Sequence, residues 1–230
     1  MAEIKVKERP IIFNSEMVKA ILDGSKTQSR RVLKPQPDLG LDPFESYSHI
    51  EVGHYHPTEI DKNGEEYPGD EIFGAYTDDG EWGWRCPFGE VGDRLWVRET
   101  HYCYGKWWKN GITQTGLQRW RFHPIGQQVA YLDNPPTVIL KGKSESEGWY
   151  KRPSIFMPRW ASRILLEITD IRVERLGKIT LADIYKEGID KNPFTHWTSH
   201  QRKFEELWNS PKTKRGYSWE VNPWVWVISF

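Results

Sequence analysis

The residues with the clearest chemical capacity sit in one short run, LDGSKTQSRR, from Leu22 to Arg31. Directly behind Gly24, which ends an apolar run, come a lysine, hydroxyl and amide side chains, and two arginines. Lys26 and Ser29 are three apart, so a helical or turn-like continuation past Gly24 places the ammonium and the hydroxyl on one side. A hydroxyl is a poor nucleophile until a base takes its proton, and a lysine is that base only where burial or a nearby cation lowers its pKa. Arg30 and Arg31 are suitable cations, and their planar forks equally suit a phosphate or a carboxylate. The competing reading is a solvated turn after a helix.

A second candidate lies far downstream. Thr180-Leu-Ala-Asp183 reads as a capping box opening a short helix with Leu181, Ile184 and Tyr185 on one side and Gly188 at its end. Glu187 falls in its last turn, where the helix dipole and partial burial both disfavour the ionised carboxylate. A raised pKa and a proton-donor role follow, against the plainer reading of an exposed glutamate before a capping glycine.

Other patterns fail. The run Gly142-Lys-Ser144 lacks the glycine five residues earlier that a phosphate-binding loop needs, because Thr137 stands there. His54 with His56, and His101 with Cys103, have usable spacings, but no set of four ligands at zinc-site spacing occurs, so neither a metal nor a cofactor is expected. The acidic pairs at Glu65, Asp78 and Glu205 read as solubility features. GKWWKN (Gly105 to Asn110) and LQRWRF (Leu117 to Phe122) interleave aromatic and basic residues, a mixture that stacks and neutralises single-stranded nucleic acid or packs a core.

The elements that must position these groups are short. PIIF after Arg9 predicts a strand, and Asn14-Ser15-Glu16 caps a helix with Met17, Val18, Ile21 and Leu22 on one face. GDRLWVRET (Gly92 to Thr100) alternates Leu95 and Val97 against Arg94, Trp96 and Arg98, a strand after a Gly-Asp turn. In SRILLEITDIRVERL the apolar phase slips near Thr169-Asp170, predicting a bulge or corner. A helix from about Ser199 to Asn209 turns Phe204, Leu207 and Trp208 inward, and NPWVWVISF closes the chain as a strand apolar on both faces. Residues 36–90 read as turns joining short strands, and 101–154 as an irregular insertion or a flexible lid.

Composition sets outer limits. Lys+Arg and Asp+Glu balance at 32 each among 230 residues, which argues against a polyanion binder relying on bulk charge. The basic residues nevertheless cluster locally. Thirteen tryptophans suit both cores and stacking surfaces. Two cysteines, Cys86 and Cys103, and no apolar leader or long apolar span point to a cytoplasmic chain with free thiols and no membrane partner.

On these residues the chain resembles the ASCH domains of the PUA-like superfamily. Gly24 to Arg31 is similar to their G-x-K-T-x-T-x-R signature, with Ser29 where the family usually has threonine. GDRLWVRET, MPRWASRI, DIYKEGI and NPWVWVISF resemble phage and prophage members. The resemblance implies an α+β fold, a curled PUA-like β-barrel with flanking short helices, in a single domain over 1–230. Its core would be 9–35, 90–100 and 155–230, with irregular insertions at 36–89 and 101–154.

It further implies a cleft for RNA, single-stranded nucleic acid or a modified nucleoside, and small bacterial members include acetylcytidine amidohydrolases. Carried over, Lys26 is proton acceptor, Ser29 nucleophile and Glu187 proton donor, while Thr27, Arg30 and Arg31 bind the substrate. The readings left open are amide hydrolysis of an acylated base, a non-catalytic reader of RNA or modified DNA, and a ribonuclease. The oligomeric state is open.

Overall fold

A computed structural model describes residues 6–37, 50–77, 83–189, 196–212 and 216–230. The chain is mixed α+β with strands predominating, and it divides into two compact units. One comprises Met1–Arg9, Ala20–Arg94 and Glu167–Phe230, the other Pro10–Lys19 and Leu95–Leu166. Of the expected insertions, 36–89 falls within the first unit and 101–154 within the second.

The first unit is organised around β14 (Trp224–Ser229), which pairs antiparallel with β2 (Gln28–Val32) on one side and β13 (Asp170–Arg175) on the other. Its first five residues are buried, as the unbroken apolar run WVWVI requires. The short helix α2 (Leu181–Lys186) and the longer α3 (Trp197–Lys212) supply the rest of this core, where Ile184, Phe204, Trp208, Val225 and Val227 pack together. Burying each such side chain stabilises by roughly 1.5–3 kcal/mol.

Leu207 corrects the sequence reading. It was expected inward but is 45% exposed, and His200, fully buried, takes an inward place. The inner row of α3 is His200, Phe204 and Trp208, four apart, with Tyr185 edge-on to His200 and Phe204 stacked on Trp208. Leu207 lies beside that row.

The predicted phase slip is a corner. A short strand, β12 (Leu165–Glu167), ends before Ile168, and β13 begins at Asp170 in a different sheet. Ile168 N donates to Asp93 O and Thr169 N to Ser229 O, so adjacent residues serve different partners. Residues 50–77 and 83–85 contain short antiparallel strands, β3 (Ile50–Tyr55) paired with β6 (Ile72–Thr77), which pairs in turn with β7 (Gly83–Arg85), and the hairpin of β4 (Thr58–Ile60) with β5 (Glu66–Pro68). No sheet closes on itself among the described residues.

In the second unit the predicted strand after Gly92 is present as β8 (Arg94–Arg98), with Leu95 and Val97 buried. The irregular insertion expected over 101–154 is instead a sheet. It is built from β9 (His101–Ile112), β10 (Gln118–Tyr131) and β11 (Gly148–Arg152), with β9 central. Its alternation is hard to read because both faces carry aromatic and basic side chains, and because the β9–β10 register shifts between Pro124 and Val129.

Candidate functional site

The site belongs to the first unit, where the chain leaves α1 (Ser15–Leu22) for β2. Gly24 takes a φ of +76°, a backbone conformation that favours glycine, and so turns the chain out of the helix. Ser25 N donates to Asp23 Oδ1 (2.9 Å) and Lys26 N reaches back to Ala20 O (2.9 Å). The continuation is extended, not helical. Lys26 forms an isolated antiparallel bridge with Glu187, and Thr27 N donates to Lys186 O at 2.8 Å.

Two signals therefore place Glu187 against Lys26. The first is the capping box at Thr180, present as predicted: Asp183 N donates to Thr180 Oγ1 and Thr180 N to Asp183 Oδ2. It starts α2 in a register that makes Glu187 the C-cap. The second is Gly188, with a φ of +90°, where any Cβ would lie 3.1 Å from both the Lys26 and the Ala20 Cβ atoms. Glycine is needed there for backbone conformation and for close approach.

Lys26 Nζ donates to Glu187 Oε2 at 2.6 Å and to the Glu187 carbonyl at 3.0 Å. The lysine side chain is fully buried and the carboxylate 7% exposed. Burial pushes the Lys26 ammonium below its ordinary 10.5. Glu187 opposes that shift without cancelling it, and Arg31 and Arg30 reinforce it.

Arg30 lies behind this pair. Its Nη1 donates to Gln28 Oε1 (2.8 Å) and reaches Glu187 Oε1 (3.3 Å), while Nη2 meets Glu174 Oε1 (2.7 Å) and Asp183 Oδ2 (3.2 Å). Arg172 closes the network on Glu174 (3.1 Å) and Asp183 (3.1 Å). Burial alone would raise the Asp183 carboxyl. The bonds from Thr180 and the charges of Arg30 and Arg172 outweigh it and hold the group below 3.8.

The sequence-predicted residues separate on this geometry. Lys26 and Glu187 meet directly. Arg30, read as a substrate-binding fork, is 1% exposed at its side chain and is occupied by three carboxylates, so it positions Glu187. Lys26, Gln28 and Arg30 follow one phase of the extended backbone and Ser29 and Arg31 the other. Ser29 is buried opposite Ile228, and its hydroxyl makes no hydrogen bond among the described residues, so the expected Lys26–Ser29 pair is not formed. Thr27 is exposed. Arg31 is close enough to Glu187 for their charges to interact, and burial lowers its pKa.

Sequence reasoning missed Glu174, Arg172 and Gln28, and saw Asp183 only as a cap. The available signal was the row Asp170, Arg172, Glu174 on one phase of β13, opposite charges alternating beside buried Ile171. No group of His, Cys, Asp or Glu able to hold a metal occurs among the described residues. Cys86 and Cys103 are buried free thiols.

The fold and site define a class: a mixed α+β chain in which a buried lysine–glutamate pair, backed by an arginine–carboxylate network, joins a helix end to a strand. Comparison of the chain with protein-family models, with curated proteins and with solved structures finds no match.

Proposed function

We propose that the chain is an ASCH-type, PUA-like protein that binds a modified nucleoside or single-stranded nucleic acid and hydrolyses an amide on an acylated cytidine-like base. The observation that carries this reading is the 2.6 Å contact of Lys26 Nζ with Glu187 Oε2, with burial lowering the lysine pKa. A lysine whose burial favours the neutral amine, in direct contact with a carboxyl group, is an acid–base pair that can exchange a proton in one step.

In this reading the Lys26 amine accepts a proton from an attacking water, because Ser29 lies on the opposite face of the strand. The new C–O bond forms at the amide carbon, the C–N bond breaks, the base's exocyclic nitrogen leaves with a proton from Glu187, and the acyl group departs as the free acid. Arg30 holds Glu187 in place throughout.

The test is conversion of acetylcytidine to cytidine by the wild-type chain and by Lys26→Met, Glu187→Gln and Ser29→Ala. Lys26→Met and Glu187→Gln are expected to lose at least about a hundredfold in rate, the usual scale for removing an acid–base group, and Ser29→Ala to lose far less. Equal rates in all four sink the hydrolase.

A reader without turnover is the second reading, favoured by β9 and β10. There Trp108 is 50% exposed, Lys106 Nζ lies 5.0 Å from its ring centroid, and Arg121 stands opposite it in register. Stacking flanked by cations retains single strands. A gel shift on single-stranded RNA, single-stranded DNA and duplex tests it, and a Trp108→Ala chain that retards single strands as well as wild type removes it.

A further inference from the structure

Arg152 stands at the end of β11, across from His101 in the sheet of the second unit. It is 9% exposed, yet no carboxylate or carbonyl among the described residues accepts a hydrogen bond from its guanidinium. Aromatic rings surround it instead. Its guanidinium carbon lies 4.6 Å from the Trp107 ring centroid, 4.4 Å from Phe122 and 4.8 Å from Phe156.

Ring faces attract the cation, but they accept little from its in-plane N–H donors. Arg163 of the same unit is held differently: it grips Glu99 at 2.9 and 3.1 Å and Asp133 at 2.7 Å. The Arg152 nitrogens are also not sealed, unlike the buried, unbonded Nε of Arg98. The donors are thus unsatisfied by protein and open to solvent.

Charge in the neighbourhood is positive. Lys143 Nζ lies 5.6 Å from the same Trp107 ring, and Arg152 and Arg98 both act on His101, adding to the burial that lowers its pKa. Glu99, the acid nearest in sequence to His101, is held by Arg163. Phe156, one of the three rings at the guanidinium, is 59% exposed and offers a flat apolar surface beside it.

We propose that Arg152 receives a phosphate group of a nucleotide, free or within a single strand, with Lys143 adding charge and Phe156 stacking on the adjoining base. An aromatic floor, an unpaired fork and an exposed ring match a phosphate joined to a planar base better than an isolated anion. The choice of a nucleotide rests on the nucleic-acid reading above, whereas the need for an anion rests on the Arg152 geometry alone.

Calorimetric titration tests it with cytidine 5′-monophosphate, cytidine, inorganic phosphate and a short oligocytidylate, on wild type, Arg152→Gln and Lys143→Gln. The monophosphate should bind at least about tenfold tighter than cytidine, the scale of one charge-assisted pair. Arg152→Gln should erase that preference and Lys143→Gln should reduce it. Tighter binding of the oligonucleotide than of the monophosphate identifies the strand as the source, and equal binding the free nucleotide.

Equal wild-type affinity for nucleoside and nucleotide overturns the proposal, as does inorganic phosphate binding as tightly as the nucleotide. A folded Arg152→Gln chain that keeps the preference also overturns it. If that chain does not fold, the exposed Lys143 decides, and an unchanged preference in Lys143→Gln is fatal. Deacylation of acetylcytidine by wild type without a phosphate preference sinks this inference alone. The preference without deacylation sinks only the hydrolase reading.

Discussion

Lys26 and Glu187 are 161 residues apart in the chain, and they are joined three ways, by a 2.6 Å side-chain bond, by a 3.0 Å bond from Lys26 Nζ to the Glu187 carbonyl and by a backbone bridge. The backbone bridge makes the side-chain pair rigid. A lysine whose own amide and whose partner's backbone are both fixed has little freedom to leave the carboxylate.

Removing both members of this pair should cost less than the sum of removing each alone. Glu187→Gln leaves a buried ammonium facing Arg30 and Arg31 with reduced compensation, and breaking a buried pair from one side costs about 3–5 kcal/mol. Lys26→Met leaves Glu187 still paired with Arg30, so its cost should be smaller. Urea unfolding of the two single variants and the double variant Lys26→Met/Glu187→Gln is expected to show a coupling of about 1–3 kcal/mol. Strictly additive costs would mean the pair contributes nothing as a pair.

Gly188 and Gly24 separate packing from backbone conformation. Both have positive φ, but a Cβ at Gly24 meets nothing within 4 Å, while one at Gly188 lies 3.1 Å from Lys26 and Ala20. Gly24→Ala should lower stability by about 1–2 kcal/mol, the cost of a left-handed conformation for an ordinary residue. Gly188→Ala adds displacement of Lys26 to that cost and should melt at a clearly lower temperature. Matching melting temperatures for the two variants would show that Gly188 serves only as a helix stop.

Asp183 predicts an acid-side effect. Its folded pKa lies below 3.8, so the native state holds its proton less readily than the unfolded chain does. The stability this contributes is fully present above about 3.8 and is lost as pH falls through the folded pKa. Thermal melts of wild type and Asp183→Asn from pH 7 down to about pH 2 should show a gap that is widest at neutral pH and narrows below about pH 4. A gap that stays constant across that range would remove the carboxylate's role in both the cap and the Arg30–Arg172 network.

Much of the framework was legible because its signals are local. The Asn14 cap, the Thr180–Asp183 box, the Leu95/Val97 alternation and the apolar run of β14 each reflect interactions within a few residues, and each lies where it was expected. The sheet of β9, β10 and β11 was not legible, because its strands carry aromatic and basic residues on both faces and one register shift interrupts the period. Leu207 was misplaced for a related reason: periodicity alone does not say which edge of an apolar stripe the neighbouring Tyr185 and Trp219 will cover.

At the site, residue types and local geometry were enough to single out Lys26 and Glu187. A lysine after a helix-stopping glycine and a glutamate before another glycine are both set by short-range rules. Sequence spacing also suggested Ser29 as the lysine's partner, and there the extended backbone of β2 overrode it, because alternation sends residues three apart to opposite faces. Only the tertiary structure decided that Arg30 faces inward to three carboxylates and that Arg152 has none. Charge pairing across 144 or 157 residues depends on strand register and helix docking, which no window of sequence contains.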